Sequence, residues 1–120
     1  MTGLLTPPLR SGVYELPDDV TLPERLRRAG WHVGQTDLTD PREAVAAVGD
    51  ELGFPDYYGK NLDALNDSLS DLDRPTALIV RAPAHLDRYG LAMIEVLTDR
   101  AESVRGVPFA LVRVPTTPSS

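Results

Sequence analysis

Residues 54–71 read FPDYYGKNLDALNDSLSD, and the rest of the chain can be placed around this stretch. It begins as a loop with a proline and a glycine and continues as a short predicted helix. Leucines recur in it at three- and four-residue intervals, which predicts one apolar stripe. These leucines are Leu62, Leu65, Leu69 and Leu72. Asp63, Asp67 and Asp71 lie four residues apart and share a different face of the same helix. Like charges at that spacing repel by roughly 0.2–0.5 kcal/mol per pair in an isolated helix, so a cationic partner gains from the row and the fold does not.

Length and composition predict one soluble domain. The chain has 120 residues, of which 42% are hydrophobic, and this is enough to bury a core without a disulfide or a structural metal. It has no cysteine, which excludes disulfides, cysteine-ligated metals and thiol catalysis and fits a reducing compartment. No apolar run approaches the ~20 residues of a membrane span, and the first residues lack the basic and apolar regions of a signal peptide. We therefore expect a cytoplasmic protein.

The acidity of the chain is local. Its formal net charge is −6, and the segment 49–73 holds seven acidic residues against a single base, Lys60. This segment therefore accounts for the whole net charge. Such a patch repels nucleic acid and attracts basic partners. On charge alone, a solvated helix face beside a loop explains the pattern equally well.

Predicted strands and helices alternate along the chain, which favours an α/β fold. Strands are predicted at residues 31–38, 77–80 and 108–114, and residues 13–16 are available as an extra N-terminal edge strand. Helices are predicted at residues 22–30, 40–52, 62–72 and 90–106. The result is a small parallel β-sheet of three strands packed with three to four helices.

Local signals mark the ends of the predicted helices. Thr21 is a candidate cap for the first helix. Asp40, Pro41 and Glu43 form a capping box with a proline at the first helical position, which predicts a helix start. Gly53 suits the left-handed residue that closes that helix.

Enzymatic signatures are absent from the sequence. The two histidines, His32 and His85, lie near no Gly-x-Ser-x-Gly elbow or other nucleophile motif, and we interpret both as surface or structural residues. The glycines form no phosphate-binding motif. We therefore predict no catalytic residues and no cofactor.

A metal site built on Asp63, Asp67 and Asp71 is another interpretation of the acidic row, besides a cationic partner and a solvated helix face. Carboxylates are the ligands that magnesium and calcium prefer. Three carboxylates over two helical turns spread along about 12 Å, so only neighbouring pairs could share one ion. We predict no metal site, and a metal-dependent hydrolase is the least favoured alternative.

Protein binding accounts for more of the pattern. Tyr57 and Tyr58 lie next to the acidic helix, and tyrosine is enriched among interface hot spots. Complementary charge raises association rates and specificity. The plainer alternative is that the tyrosines pack on the core and the acids merely face water.

Residues 55–67, PDYYGKNLDALND, closely resemble the signature of the barstar family, intracellular inhibitors of barnase-type ribonucleases. In that signature a proline and an acid precede two aromatic residues and a glycine, and an asparagine then leads into Asp-Ala-Leu. The order of elements over residues 31–114 also looks like that of the family. The resemblance implies a barstar-like domain at 31–114. It leaves residues 1–30 as a partly mobile N-terminal extension and residues 115–120 as a disordered tail.

The resemblance implies an inhibitor or immunity protein of a toxin–antitoxin pair, and not an enzyme. Its loop and helix would plug a ribonuclease active site, with carboxylates in the place of RNA phosphate. Asp67 would be the main phosphate mimic, Asp63 its companion, and Tyr57 would stack over the catalytic histidine. The implied partner-binding residues are Tyr57, Gly59, Asn61, Asp63, Asn66, Asp67, Ser70 and Asp71.

The implied partner is a basic extracellular ribonuclease of barnase type or a related toxin domain. We expect no nucleic-acid or membrane partner and a monomer in the free state. Lys60 stands where the best-known member has an acid, and Asn66 replaces a tryptophan. An interaction or regulatory module with the same fold and a non-ribonuclease partner is therefore the main alternative.

Overall fold

The structure, a computed structural model, describes residues 3–54, 61–103 and 105–115. Within these residues the strands are β1 (Gly12–Glu15), β2 (His32–Asp37), β3 (Thr76–Ala82) and β4 (Phe109–Pro115). The helices are α1 (Leu22–Ala29), α2 (Pro41–Leu52), α3 (Leu62–Ser70) and α4 (Arg88–Glu102). The strands form one parallel sheet in the order β1-β4-β3-β2. The predicted α/β class with a parallel sheet is confirmed.

The sheet has four strands, so the prediction of three was wrong. The fourth is the optional N-terminal strand, which pairs with β4 from Gly12 opposite Ala110 to Glu15 opposite Arg113. The Leu16 N–H extends this ladder by donating to the Arg113 carbonyl over 3.1 Å. The strand is only four residues long and alternates between half-buried and exposed side chains, so its apolar signal is weak.

The sheet separates two hydrophobic cores. Consecutive side chains of a strand point to opposite faces, and β3 shows this directly. Leu78 and Val80 enter the core formed with α2, α3 and α4, whereas Ala77 and Ile79 enter the core formed with α1. All four are fully buried, as the continuous apolar run predicts. Helices therefore cover both faces, with α3 on one and α1 on the other.

The residues ahead of β1 belong to the second core. Leu4 is fully buried there, and its carbonyl accepts a 2.7 Å hydrogen bond from Nε1 of Trp31. A turn closed by the Gly3 N–H and the Thr6 carbonyl, 2.9 Å apart, holds this segment. The N-terminal thirty residues thus supply an edge strand, a helix and part of a core.

The helix α2 begins and ends as predicted. Oδ1 of Asp40 accepts the Glu43 N–H over 3.3 Å, and Pro41 is the first helical residue. Gly53 adopts a left-handed φ of 71° and ends the helix. Local sequence rules suffice at both ends because every group involved is close in sequence.

The helix α1 begins at Leu22 with Thr21 at the N-cap position, as predicted, but the expected capping bond of Thr21 and the predicted start of α4 differ from the structure. The Thr21 side chain makes no capping bond, and its hydroxyl instead donates to Oδ1 of Asp19 over 2.8 Å. The helix α4 begins two residues before the predicted Gly90, because Oδ1 of Asp87 accepts the Gly90 N–H over 2.7 Å and caps the first turn.

Gly34 lets the end of α2 approach β2 closely. A Cβ at this position would lie 2.8 Å from Cδ2 of Leu52 and 3.1 Å from Cβ of Glu51. Leu52 is itself buried and belongs to the core that α2 shares with α3 and α4. Oε1 of Glu51 also accepts the Gln35 N–H over 2.7 Å, which covers part of the sheet edge. Gly34 therefore allows the carboxyl end of α2 to pack closely against β2.

We expect Gly34→Ala to lower the free energy of unfolding by roughly 1–3 kcal/mol, the usual cost of overpacking a core. Urea denaturation measures this change. Gly12→Ala is the matched control, because its Cβ would lie 3.4 Å from Cε2 of Tyr14, an ordinary contact. Both variants lose the same glycine flexibility in the unfolded chain. Equal stability of the two variants would show that α2 moves aside without cost.

Candidate functional site

The helix α3 has one buried face and one exposed face. Leu65 and Leu69 are fully buried in the core shared with α2 and α4. The opposite face is exposed, and it contains five of the predicted partner-binding residues. They are Asp63, Asn66, Asp67, Ser70 and, at the helix end, Asp71. The apolar spacing of the sequence therefore places these polar side chains together on one surface.

Asn61 determines where this helix begins. It is the N-cap, with extended backbone angles of φ −135° and ψ 173°, and its Oδ1 accepts the Ala64 N–H over 2.8 Å. Its carbonyl accepts the Leu65 N–H over 2.9 Å. The side chain thus has a structural role within the chain, in addition to the partner contact that the sequence predicts for it.

Three exposed carboxylates lie along one surface of α3. Asp63, Asp67 and Asp71 form no ion pair with any residue that the structure describes. Asp63 lies in the first turn, where the helix dipole favours an anion. Asp67 and Asp71 lie toward the carboxyl end, where the dipole disfavours one. The row is therefore unfavourable for the free helix and is open to a cationic partner.

The carboxyl end of α3 is tied by short local bonds. The Ser70 hydroxyl donates to the Asn66 carbonyl over 3.1 Å. The Asp71 N–H donates to the Ser68 carbonyl over 3.2 Å. The Ser70 proton is therefore used within the helix, and its oxygen remains an acceptor toward solvent.

Two predicted contact residues, Tyr57 and Gly59, lie outside the described residues, as does Lys60. The stacking role of Tyr57 and the loop role of Gly59 therefore stay predictions. The described part of the site is the helix with its N-cap.

Arg100 of α4 is a residue of this region that sequence reasoning missed. Its Nε donates to the carbonyl of Leu69 in α3 over 2.8 Å, and its Nη2 donates to the Val107 carbonyl over 2.8 Å. Burial lowers the pKa of Arg100. Arg100 follows Met93 by seven residues and Leu97 by three, which places all three on one face of the helix. This spacing is the sequence signal that could have predicted the burial of Arg100.

His32 lies beside the segment that leaves α3. It begins β2, and its Nε2 is 3.5 Å from Nη2 of Arg74. Burial, and then the positive charge of Arg74, hold the pKa of His32 below its ordinary value of 6.5. The charge of Arg27 adds to this, while a backbone hydrogen bond with Leu52 and the charge of Asp73 oppose it. His32 is therefore held toward the neutral form in the folded chain.

The aspartate row does not converge on a metal position. Across residues 3–54, 61–103 and 105–115, no three acidic or histidine side chains are close enough to hold a metal ion. Among the helices of the same residues, none combines the length and the apolar character needed to cross a membrane.

The fold and site define a small α/β protein that covers both faces of a parallel sheet and presents a carboxylate-rich helix face to solvent. A sequence model of the family described as Barstar (barnase inhibitor) matches residues 31–113. The chain belongs to this family, which confirms the resemblance seen at residues 55–67. The match begins just before β2, so β1 and α1 lie outside it.

A curated relative carries a name consistent with this family. The chain is 38% identical over 61 residues to the Bacillus subtilis (strain 168) protein called "Putative ribonuclease inhibitor YrdF". The alignment covers 47% of this chain and 67% of that protein.

The environment of His32 predicts a pH-dependent stability. A histidine whose pKa is lower in the folded chain than in the unfolded chain destabilises the fold at acid pH, because the unfolded chain binds the proton more readily. Its contribution is fully present above about 6.5, the value for an unfolded chain, and is lost as the pH falls through the lower folded pKa. We expect His32→Gln to show a smaller loss of unfolding free energy than wild type between pH 7.5 and pH 5.5.

Urea denaturation at several pH values measures this effect. His85→Gln is the matched control, because it removes the other imidazole from an exposed position. Identical pH profiles for wild type and His32→Gln would contradict the assignment.

Proposed function

We propose that the protein inhibits a barnase-type ribonuclease by binding its active site through the exposed face of α3. One observation carries the proposal: Asp63 and Asp67 project, without a described ionic partner, from a helix whose other face is buried. Membership of a family described as barnase inhibitors supports it. The printed name of the B. subtilis relative points to the same class of target.

The chemistry of such a target suits the acidic row. An enzyme that cleaves RNA without a metal ion holds the phosphate groups with cationic side chains such as arginine, lysine or protonated histidine. Those cations bind carboxylates by charge-assisted hydrogen bonds, which are about twice as strong as neutral ones. Asp63 and Asp67 lie one turn apart, about 6 Å along the helix axis, and thus present two negative charges in series. We propose Asp67 as the main phosphate mimic and Asp63 as its companion.

The helix is prepared for binding before the partner arrives. Leu65 and Leu69 fix its rotation, and the Asn61 cap fixes its start. Side chains carried by a rigid helix need less ordering on association than side chains in a loop. More of the electrostatic attraction therefore appears as affinity.

Asn66 lies on the same exposed face as Asp63 and Asp67. Asn66 stands where the best-known family member has a tryptophan, so this difference lies within the proposed interface. The difference at Asn66 and the positive charge of Lys60 together favour a cognate ribonuclease other than barnase itself.

We propose that the protein is a cytoplasmic immunity protein and not an enzyme. It would be a monomer when free and would protect its cell from a basic ribonuclease that acts outside. Tyr57, Gly59, Ser70 and Asp71 complete the proposed interface.

We expect Asp67→Asn to reduce the binding free energy by about 2 kcal/mol or more, the size that defines an interface hot spot. The substitution keeps the shape of the side chain and removes its charge. Calorimetry and titration of RNA cleavage, with barnase and with basic extracellular ribonucleases of the same organism, measure the loss. Glu15→Gln is the matched control, since it makes the same charge change on the edge strand β1.

Two results would count against the proposal. If the unmodified protein binds and inhibits none of these ribonucleases, the target class is wrong, and a non-nuclease partner becomes the better explanation. If Asp67→Asn and Glu15→Gln weaken binding equally, α3 is not the interface.

A further inference from the structure

The carboxyl end of α3 has an excess of negative charge. The carbonyl end of a helix dipole is negative, and Asp67 and Asp71 lie at or near it. Asp73 follows two residues later. The last turn of α3 contains no basic residue that would offset these charges. A cation from elsewhere in the fold would therefore stabilise this helix end.

Arg100 supplies that cation from α4. Its side chain crosses to α3, where Nε donates to the Leu69 carbonyl over 2.8 Å. That carbonyl is one of the last four of the helix, which receive no hydrogen bond from an N–H group within the helix. Arg100 is only 8% exposed, so its charge acts on the helix end with little screening by water.

The guanidinium makes two further contacts, while its buried Nη1 has no hydrogen-bond partner among the described residues. Nη2 donates to the Val107 carbonyl over 2.8 Å, and the guanidinium carbon lies 5.6 Å from the centre of the Phe109 ring. Gly106 has a φ of +80°, and a Cβ there would lie 3.3 Å from Nη2. Arg100 forms no ion pair with a carboxylate among the described residues. Its contacts are instead the two carbonyls and the aromatic ring.

We propose that Arg100 is a positioning residue for the partner-binding face of α3, which holds its acidic carboxyl end in place before the partner binds. This rests on the proposed function and deepens it, because it names the residue that organises the binding surface. Arg100 acts through Leu69 and does not itself touch the partner. Its loss should therefore loosen the end that carries Asp71 more than the start that carries Asp63.

Three variants test the proposal. Arg100→Met keeps most of the side-chain length and removes the charge and both carbonyl contacts. Arg100→Lys keeps the charge but loses the planar fork, so it cannot bond both carbonyls in the same way. Arg88→Met is the matched control, because Arg88 is an exposed residue of the same helix and its replacement makes the same change in net charge.

Amide hydrogen exchange of the free protein is the first readout. In Arg100→Met we expect the amides of the last turn of α3, including the Asp71 N–H, to exchange about tenfold faster or more relative to those of β3. Loss of a hydrogen bond to a charged group is of this size. Arg88→Met should match wild type. A uniform acceleration in α3 and β3 would show that Arg100 only stabilises the whole fold, and would overturn the proposal.

Affinity for the inhibited ribonuclease is the second readout. We expect the weakening caused by Asp71→Asn to shrink in the Arg100→Met background, while that caused by Asp63→Asn stays the same. Equal effects of Asp71→Asn in both backgrounds would overturn the proposal. If the wild-type protein binds no ribonuclease, the proposed function fails alone, and the exchange measurement still decides the role of Arg100.

Arg100→Lys keeps the test decisive if Arg100→Met does not fold. Its α3 amides should exchange faster than those of wild type, with β3 unchanged. Wild-type exchange at the end of α3 in this variant would mean that any buried cation suffices and that the fork plays no part, which contradicts the proposal.

Discussion

The burial of Leu65 and Leu69 is the interaction on which the binding surface depends. Fully burying one leucine contributes roughly 1.5–3 kcal/mol, whereas each pair of like charges one turn apart costs roughly 0.2–0.5 kcal/mol. The apolar face of α3 therefore outweighs the repulsion along Asp63, Asp67 and Asp71. A helix with the same charges and no buried face would lack the burial energy that offsets this repulsion. The fold thus tolerates a row of carboxylates that we propose serves a partner.

The two ends of this helix are held in different ways. At its start, the Asn61 side chain caps the helix through a local contact with the Ala64 N–H. At its end, Arg100 reaches from α4 to the carbonyl of Leu69. The helix is therefore held by its own cap at one end and by a residue far away in sequence at the other.

The N-terminal thirty residues stabilise the opposite side of the sheet. The strand β1 extends the sheet at the β4 edge, and α1 covers the face that α3 does not occupy. The bond from Trp31 to the Leu4 carbonyl ties the first turn of the chain to this core. The family match begins at residue 31, so this layer is an addition to the matched region.

Features that depend on contacts between residues close in sequence could be predicted, whereas most features that depend on contacts between distant residues could not. The ends of α2 depend on groups within four residues, and the rules for Asp40 and Gly53 predict them correctly. The buried strand β3 was evident because its apolar run is continuous. The family signature at residues 55–67 predicted the family, and the apolar spacing predicted which side chains of α3 face solvent.

The features that the sequence predicts incompletely or not at all depend mostly on distant partners. The strand β1 is so short that the sequence offers it only as an optional edge strand, because its pairing depends on β4, which lies nearly a chain length away. The role of Arg100 depends on the carbonyls of Leu69 and Val107, and no local pattern reveals where those will lie. Thr21 was a reasonable cap by type, yet Asp19 engages its hydroxyl instead. Packing between elements decided the first two cases, and a local contact with a residue two positions away decided the third.

We propose that the acidic face of α3 is the surface that binds a ribonuclease. Hydrogen–deuterium exchange of the protein, free and bound to a barnase-type ribonuclease that it inhibits, is the most direct test. We expect slower exchange across residues 61–71 in the complex and unchanged exchange across α1 on the opposite face of the sheet. Slower exchange in α1 and β1, with residues 61–71 unchanged, would contradict it.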